Sequence, residues 1–191
     1  MEEAMRAMKG VLAATLLLLF AVPAIAGLAL SNSRAETEDF GVPPTSQLRT
    51  GDYEAATPLT IPGIRAVIVT SQLGEMLSSS KPPLVVDVRT NTTFHFGMVV
   101  QGGHWWPEAG LYGTAYDQRF AQMLGEATSN NRYRPVVFYC GGPHCWLSYN
   151  AALRALKLGY QNVYWYRGGW PAWMNANGPI AKVPVETGGI A

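Results

Sequence analysis

Two short runs limit what this chain can fold into more than any other feature. Leu84-Val85-Val86-Asp87-Val88 is continuously apolar up to a single charge, and Val136-Val137-Phe138-Tyr139 is apolar throughout. A strand with one face in water alternates polar and apolar residues. A strand covered on both faces does not, and such strands belong to parallel sheets. Helical patterns lie between and after them. Over 114–128, Phe120, Met123, Leu124 and Ala127 share one face at i, i+3, i+4 and i+7. A second helix is predicted over 146–158, closed by Gly159 where a left-handed residue is wanted. A shorter one over 71–77 has Ser71 as its cap and Lys81-Pro82-Pro83 as its breaker. Further short strands are predicted at 64–69, 102–106 and 162–166, the last followed by Gly168-Gly169 and a short helix through Trp173. This alternation predicts an α/β fold, a parallel sheet with helices on both faces.

The first thirty residues are of a different kind. The stretch GVLAATLLLLFAVPAIAGLAL, residues 10–30, carries no charge and follows Arg6 and Lys9. Ala24-Ile25-Ala26 is a cleavage signal of the A-x-A type, and Ser33-Arg34-Ala35 is a second one. The segment reads as a secretory signal peptide over 1–26, with cleavage as late as 35 as the other site. The alternative is an uncleaved membrane anchor, since the run is long enough to span a bilayer. Glu2 and Glu3 offset the basic residues, so a start at Met5 or Met8 would restore a basic n-region. Residues 27–60, rich in Thr, Pro, Gly and acidic residues, are expected to form an extended leader, partly ordered at best. One domain over 61–180 and a loose tail over 181–191 complete the chain. A net charge of +1 gives no electrostatic reason to expect nucleic acid as a partner. The membrane enters only through the signal or anchor segment.

In an open parallel sheet, ligands sit beyond the carboxyl ends of the strands. VVFYCGGPHCW, residues 136–146, lies at such an end. Cys140 directly follows the strand, Gly141-Gly142-Pro143 allows a tight turn, and the next helix starts at about Trp146. A loop of this kind turns backbone N–H groups toward its centre, backed by the positive end of the helix. Gly141, Gly142, Pro143, His144, Cys145 and Trp146 would form this anion cradle, and a thiolate at Cys140 would be stabilised in it. The alternative for Cys140 is a buried apolar filler.

These segments resemble the rhodanese family. LVVDVR at 84–89 is similar to that family's early strand, VQGGHWWP at 100–107 to its "IPGA…P" segment, and NVYWYRGGWPAW at 162–173 to its closing signature. The likeness spans residues 61–178. It implies a sheet of about five parallel strands flanked by helices. It also implies a catalytic Cys140 that carries a sulfane sulfur as a persulfide between a small sulfur donor and a thiol acceptor. A nearer resemblance is to a periplasmic branch named for its CXXCW motif and found alongside pyrroloquinoline-quinone-dependent alcohol oxidation. Cys145-Trp146, Ser148-Tyr149-Asn150-Ala151-Ala152, Gly159-Tyr160 and Val163-Tyr164-Trp165-Tyr166 match it, but four residues rather than two separate the cysteines here. That branch implies a periplasmic location and a periplasmic protein partner, but no quinoprotein partnership is carried over.

The remaining residues admit more than one role. Cys145 either resolves the persulfide or a sulfenic acid on Cys140 as a disulfide, or packs at the helix start. It also stands at a loop position where the family often has Arg, which removes a cationic contact for thiosulfate. Asp87 and Arg89 either anchor the loop by hydrogen bonds or pair with each other or with surface groups, a structural role being the preferred reading. Arg167 either brings positive charge to the mouth or is solvated. His144 either donates a proton or joins the two thiols in a metal set of only three ligands, so neither metal nor cofactor is expected. The six tryptophans are read as core or rim. Two other functions stay open: a non-catalytic binding module on the same fold, and a thiol redox protein.

Overall fold

The computed structural model of the protein describes residues 30–91, 93–94 and 97–183. The signal segment 1–26, the start-codon question and most of the tail therefore lie outside the described residues. The strands are β1 (Ala66–Ile68), β2 (Leu84–Asp87), β3 (Met98–Val100), β4 (Gly103–Trp105), β5 (Val136–Tyr139), β6 (Val163–Tyr166) and β7 (Ile180–Lys182). The helices are α1 (Thr70–Leu77), α2 (Thr114–Thr128), α3 (Trp146–Lys157) and α4 (Gly169–Asn175). Five strands form one sheet in the order β1-β6-β5-β2-β4, every pairing parallel. β5, the strand that ends at Cys140, is central.

The continuous apolar runs are explained by two cores. Successive side chains point to opposite faces of the sheet. Leu84, Val86, Val136, Phe138, Val163 and Trp165 meet Phe120 and Leu124 of α2 and the apolar side of α3. Val85, Val137, Tyr139 and Tyr166 meet Leu73 of α1 and Trp173 of α4 on the other face. Trp105, Trp106, Trp146, Trp165 and Trp173 are buried, and Trp170 is half-buried.

Three sequence expectations need correction. The segment expected as a partly ordered leader is extended, and it packs along the domain from Leu30 onward. Thr45 exchanges hydrogen bonds with the Tyr149 hydroxyl at 2.9 and 2.8 Å, and Arg49 exchanges them with the Asn150 amide at 2.9 and 2.9 Å. Its apolar periodicity is low because the strap docks through scattered apolar side chains, Leu30, Val42, Leu48 and Tyr53, together with polar groups of α3. Ser71 does not cap α1, which starts one residue earlier. The Glu36 carboxylate accepts from the Thr70 amide and the Asn32 side chain accepts from the Ser71 amide, so the strap caps the helix from outside it. The tail is not loose at its start, because β7 pairs antiparallel with β3. Two three-residue strands 80 positions apart leave no local pattern to read. Among the described residues no helix is long and apolar enough to cross a membrane.

Candidate functional site

The site lies at the carboxyl end of β5. Cys140 is buried, 2% exposed, and its carbonyl accepts from the Trp170 amide of α4 at 2.8 Å. α4 can come this close because Gly169 has no side chain. It sits at φ +60°, and a Cβ there would meet the Cys140 carbonyl oxygen and the Gly142 amide nitrogen. Gly168 makes room in the same way for the Glu36 side chain of the strap.

Cys140 and Cys145 are joined as a disulfide, with Cα atoms 6.1 Å apart. Cys145 is thus bonded to Cys140 and at the same time packed in the core as the N-cap residue of α3. The loop between them is held from the strap side. The Pro143 carbonyl accepts from the Thr57 amide at 3.0 Å and from the Thr57 hydroxyl at 2.7 Å. The Trp146 amide donates to the Tyr53 carbonyl at 2.9 Å, and its indole donates to the Ala56 carbonyl at 3.0 Å. The His144 ring packs on Phe40 with centroids 4.7 Å apart.

These contacts shrink the expected cradle. Pro143 has no amide hydrogen, the Cys145 amide bonds to the Gly142 carbonyl at 3.1 Å, and the Trp146 amide is taken by the strap. Gly141, Gly142 and His144 keep amides that no described residue accepts from. These three belong to the loop that follows Cys140 and are what is left of the expected cradle.

Asp87 and Arg89 pair with each other. The guanidinium forks onto the carboxylate at 2.6–3.0 Å and also donates to the Met98 carbonyl at 2.7 Å. Arg89 reaches the cysteine loop only through Trp170, whose ring centroid lies 4.2 Å from the guanidinium carbon. It positions the helix that holds the Cys140 carbonyl and makes no hydrogen bond to the loop. Burial pushes the Asp87 carboxyl above the ordinary carboxylate range, against the pull of Arg89. Burial, and then the Asp87 charge beside it, hold the Tyr139 phenol well above the usual tyrosine range.

Arg167 is neither at the mouth nor solvated. It is 1% exposed and donates to the Thr57 hydroxyl, the Thr57 carbonyl and the Glu36 carbonyl, each at 3.1 Å. Burial lowers its pKa, while Asp39 and Glu38 oppose the shift. The guanidinium fastens the strap to the end of β6, its N–H groups donating to Thr57 and to strap carbonyls and its charge lying near Asp39 and Glu38. Tyr53, Ala56 and Thr57, which fasten the loop, were not found from the sequence. A threonine in a polar leader carries no signal of a contact 86 positions away.

A central parallel strand followed by a disulfide-closed cysteine loop and a helix start, within a doubly covered five-stranded sheet, defines the α/β domain. The chain belongs to the rhodanese-like domain family, whose model matches residues 69–176. No curated protein matches the chain. Among solved structures, it is similar to a thiosulfate sulfurtransferase from Pseudomonas aeruginosa, at 17% identity and a TM-score of 0.47 over 64% of this chain. It spans only 21% of that protein. It is similar to a Rhodanese_3-like domain from Anabaena sp., at 19% identity and a TM-score of 0.39, over 52% of this chain and 98% of that one. It is also similar to the BH2092 protein of Bacillus halodurans, at 19% identity and a TM-score of 0.45, over 62% of this chain and 76% of that one.

Proposed function

We propose that this protein is an exported, periplasmic sulfurtransferase of the rhodanese kind, in which Cys140 carries a sulfane sulfur as a persulfide once its disulfide is reduced. The observation that carries this reading is the placement of Cys140. It ends the central strand beside the amides of Gly141, Gly142 and His144, which no described residue uses. Amides of such a loop can stabilise negative charge on a sulfur held at Cys140 once the disulfide is open. A small sulfur donor and a thiol acceptor are the partners. The resemblance to the CXXCW branch supports the periplasm as the compartment. Processing after Ala26 is the site we favour. Leu30 is buried against α1, Asn32 caps that helix, and the Ser33 amide binds Glu36, so cleavage after Ala35 would strip all three. The test of the activity is mass spectrometry of the reduced Cys145→Ser protein, which holds Cys140 as its single thiol, after incubation with a thiosulfonate. A gain of one sulfur, lost when Cys140→Ser is added, is expected, and no adduct with any donor would overturn the reading.

A second reading, a non-catalytic binding module, is favoured by the disulfide itself and by the 2% exposure of Cys140. A disulfide that survives mild reductant in protein isolated from the cell envelope would select it.

A further inference from the structure

We infer that Cys145 is a second catalytic sulfur, which attacks the persulfide on Cys140 and releases its outer sulfur as hydrosulfide inside the protein. This rests on the persulfide reading above and deepens it by naming the acceptor and the product.

The two sulfurs are bonded, so the fold already brings them to reacting distance. What keeps them there does not depend on the bond. The Cys140 carbonyl is held by the Trp170 amide, the Cys145 amide by the Gly142 carbonyl, and the Pro143 carbonyl between them by Thr57. Cα atoms 6.1 Å apart lie within the range of about 4.4–6.8 Å that a disulfide spans. Reduction therefore leaves a pair of thiols preset to close again. Cys145 is also the N-cap residue of α3, where the helix end favours a thiolate. Proximity favours the internal partner as well: Cys145 needs no diffusional encounter with the persulfide, whereas a thiol from solution does.

The chemistry balances as follows. The Cys140 thiolate attacks the outer sulfur of a thiosulfonate, and a sulfinate leaves. The persulfide takes up a proton. The Cys145 thiolate then attacks the Cys140 Sγ, forming the Sγ–Sγ bond and breaking the bond to the outer sulfur. That sulfur leaves as hydrosulfide with the electron pair. The sulfane sulfur is reduced by two electrons and the two thiolates are oxidised to the disulfide. An external thiol, oxidised to its own disulfide, resets the pair. The net reaction converts a thiosulfonate and two thiols to a sulfinate, hydrogen sulfide and a disulfide.

The experiment uses the exported chain, reduced, freed of reductant under anaerobic conditions and mixed with one equivalent of benzenethiosulfonate. The wild-type protein should release about one sulfide per chain with no thiol added and regain its disulfide by mass. Cys145→Ser and Cys145→Ala should instead keep a stable adduct of one sulfur on Cys140. Their sulfide should appear only after a thiol is added, at a rate lower by on the order of a hundredfold, as expected when an intramolecular step becomes bimolecular. Thermal melts of both variants, with the sulfur adduct itself, report that the domain is folded. Sulfide release from the variants at the wild-type rate, or a lasting persulfide in the wild type, would overturn the role of Cys145 and leave the persulfide reading standing. Failure of every protein to gain sulfur would overturn both.

Discussion

Thr57 binds the Pro143 carbonyl twice, through its amide at 3.0 Å and its hydroxyl at 2.7 Å. The same hydroxyl accepts from Arg167 at 3.1 Å. One fully buried threonine thus ties the strap, the end of β6 and the cysteine loop together.

Thr57→Val keeps the shape and the amide bond but removes the hydroxyl. It leaves a buried guanidinium N–H without its acceptor. A loss of about 1–3 kcal/mol is expected in urea unfolding. The Cys140–Cys145 bond should also be reduced severalfold faster by dithiothreitol, because the loop between the cysteines has lost one of its fastenings.

Arg89→Met leaves the Asp87 carboxylate, 0% exposed, without its counter-charge. About 3–5 kcal/mol of stability should be lost at neutral pH. Burial already raises the Asp87 pKa, and removing Arg89 takes away the opposing pull. A carboxyl whose folded pKa lies above its unfolded value adds stability below the unfolded pKa and loses it as pH rises through the folded one. The deficit of the variant should therefore be smaller at pH 4.5 than at pH 8. A deficit independent of pH would show that the loss is packing alone.

Tyr166 supplies a second pH dependence. Burial raises its phenol above the usual tyrosine range, with the Thr70 hydroxyl bound at 2.6 Å. The unfolded chain ionises near pH 10 while the folded one does not, so this contribution is complete below about pH 10 and falls above it. The fall approaches about 1.4 kcal/mol per pH unit for each such tyrosine. Tyr166→Phe should be less stable at pH 8 for want of the hydrogen bond, yet lose less than the wild type between pH 9 and pH 10.5. Chemical denaturation at the two pH values measures it.

Gly169→Ala places a methyl group against the Cys140 carbonyl and the Gly142 amide at φ +60°. The left-handed backbone alone costs about 1–2 kcal/mol, and a backbone clash adds to it. Lower thermal stability is expected together with a shift of α4 away from the loop. Uptake of sulfur by the reduced protein should then fall more than the melt would suggest.

The legible parts of this protein are those whose cause is local. α2 runs Thr114–Thr128 as its apolar face requires, and β5 runs Val136–Tyr139 as its continuous apolar pattern requires. Cys140 falls at the strand end because glycine and proline follow it at once. The parts that were misread have distant causes. Arg167 follows a strand end like a residue at the mouth, but its partners are carbonyls of a strap more than a hundred positions earlier. Cys145 and Trp146 looked like members of an anion cradle, yet their amides are committed to Gly142 and to Tyr53.

Read alone, the order of apolar runs, turns and helical faces decided that the chain forms a covered parallel sheet with a cysteine at its carboxyl edge. Burial of apolar side chains follows periodicity, and periodicity is written along the chain. The tertiary structure decided which amides stay free beside Cys140, which carbonyls hold the loop, and that the second cysteine bonds the first. Hydrogen-bond partners are a matter of distance in space, and polar groups far apart in the chain carry no mark of where they will meet.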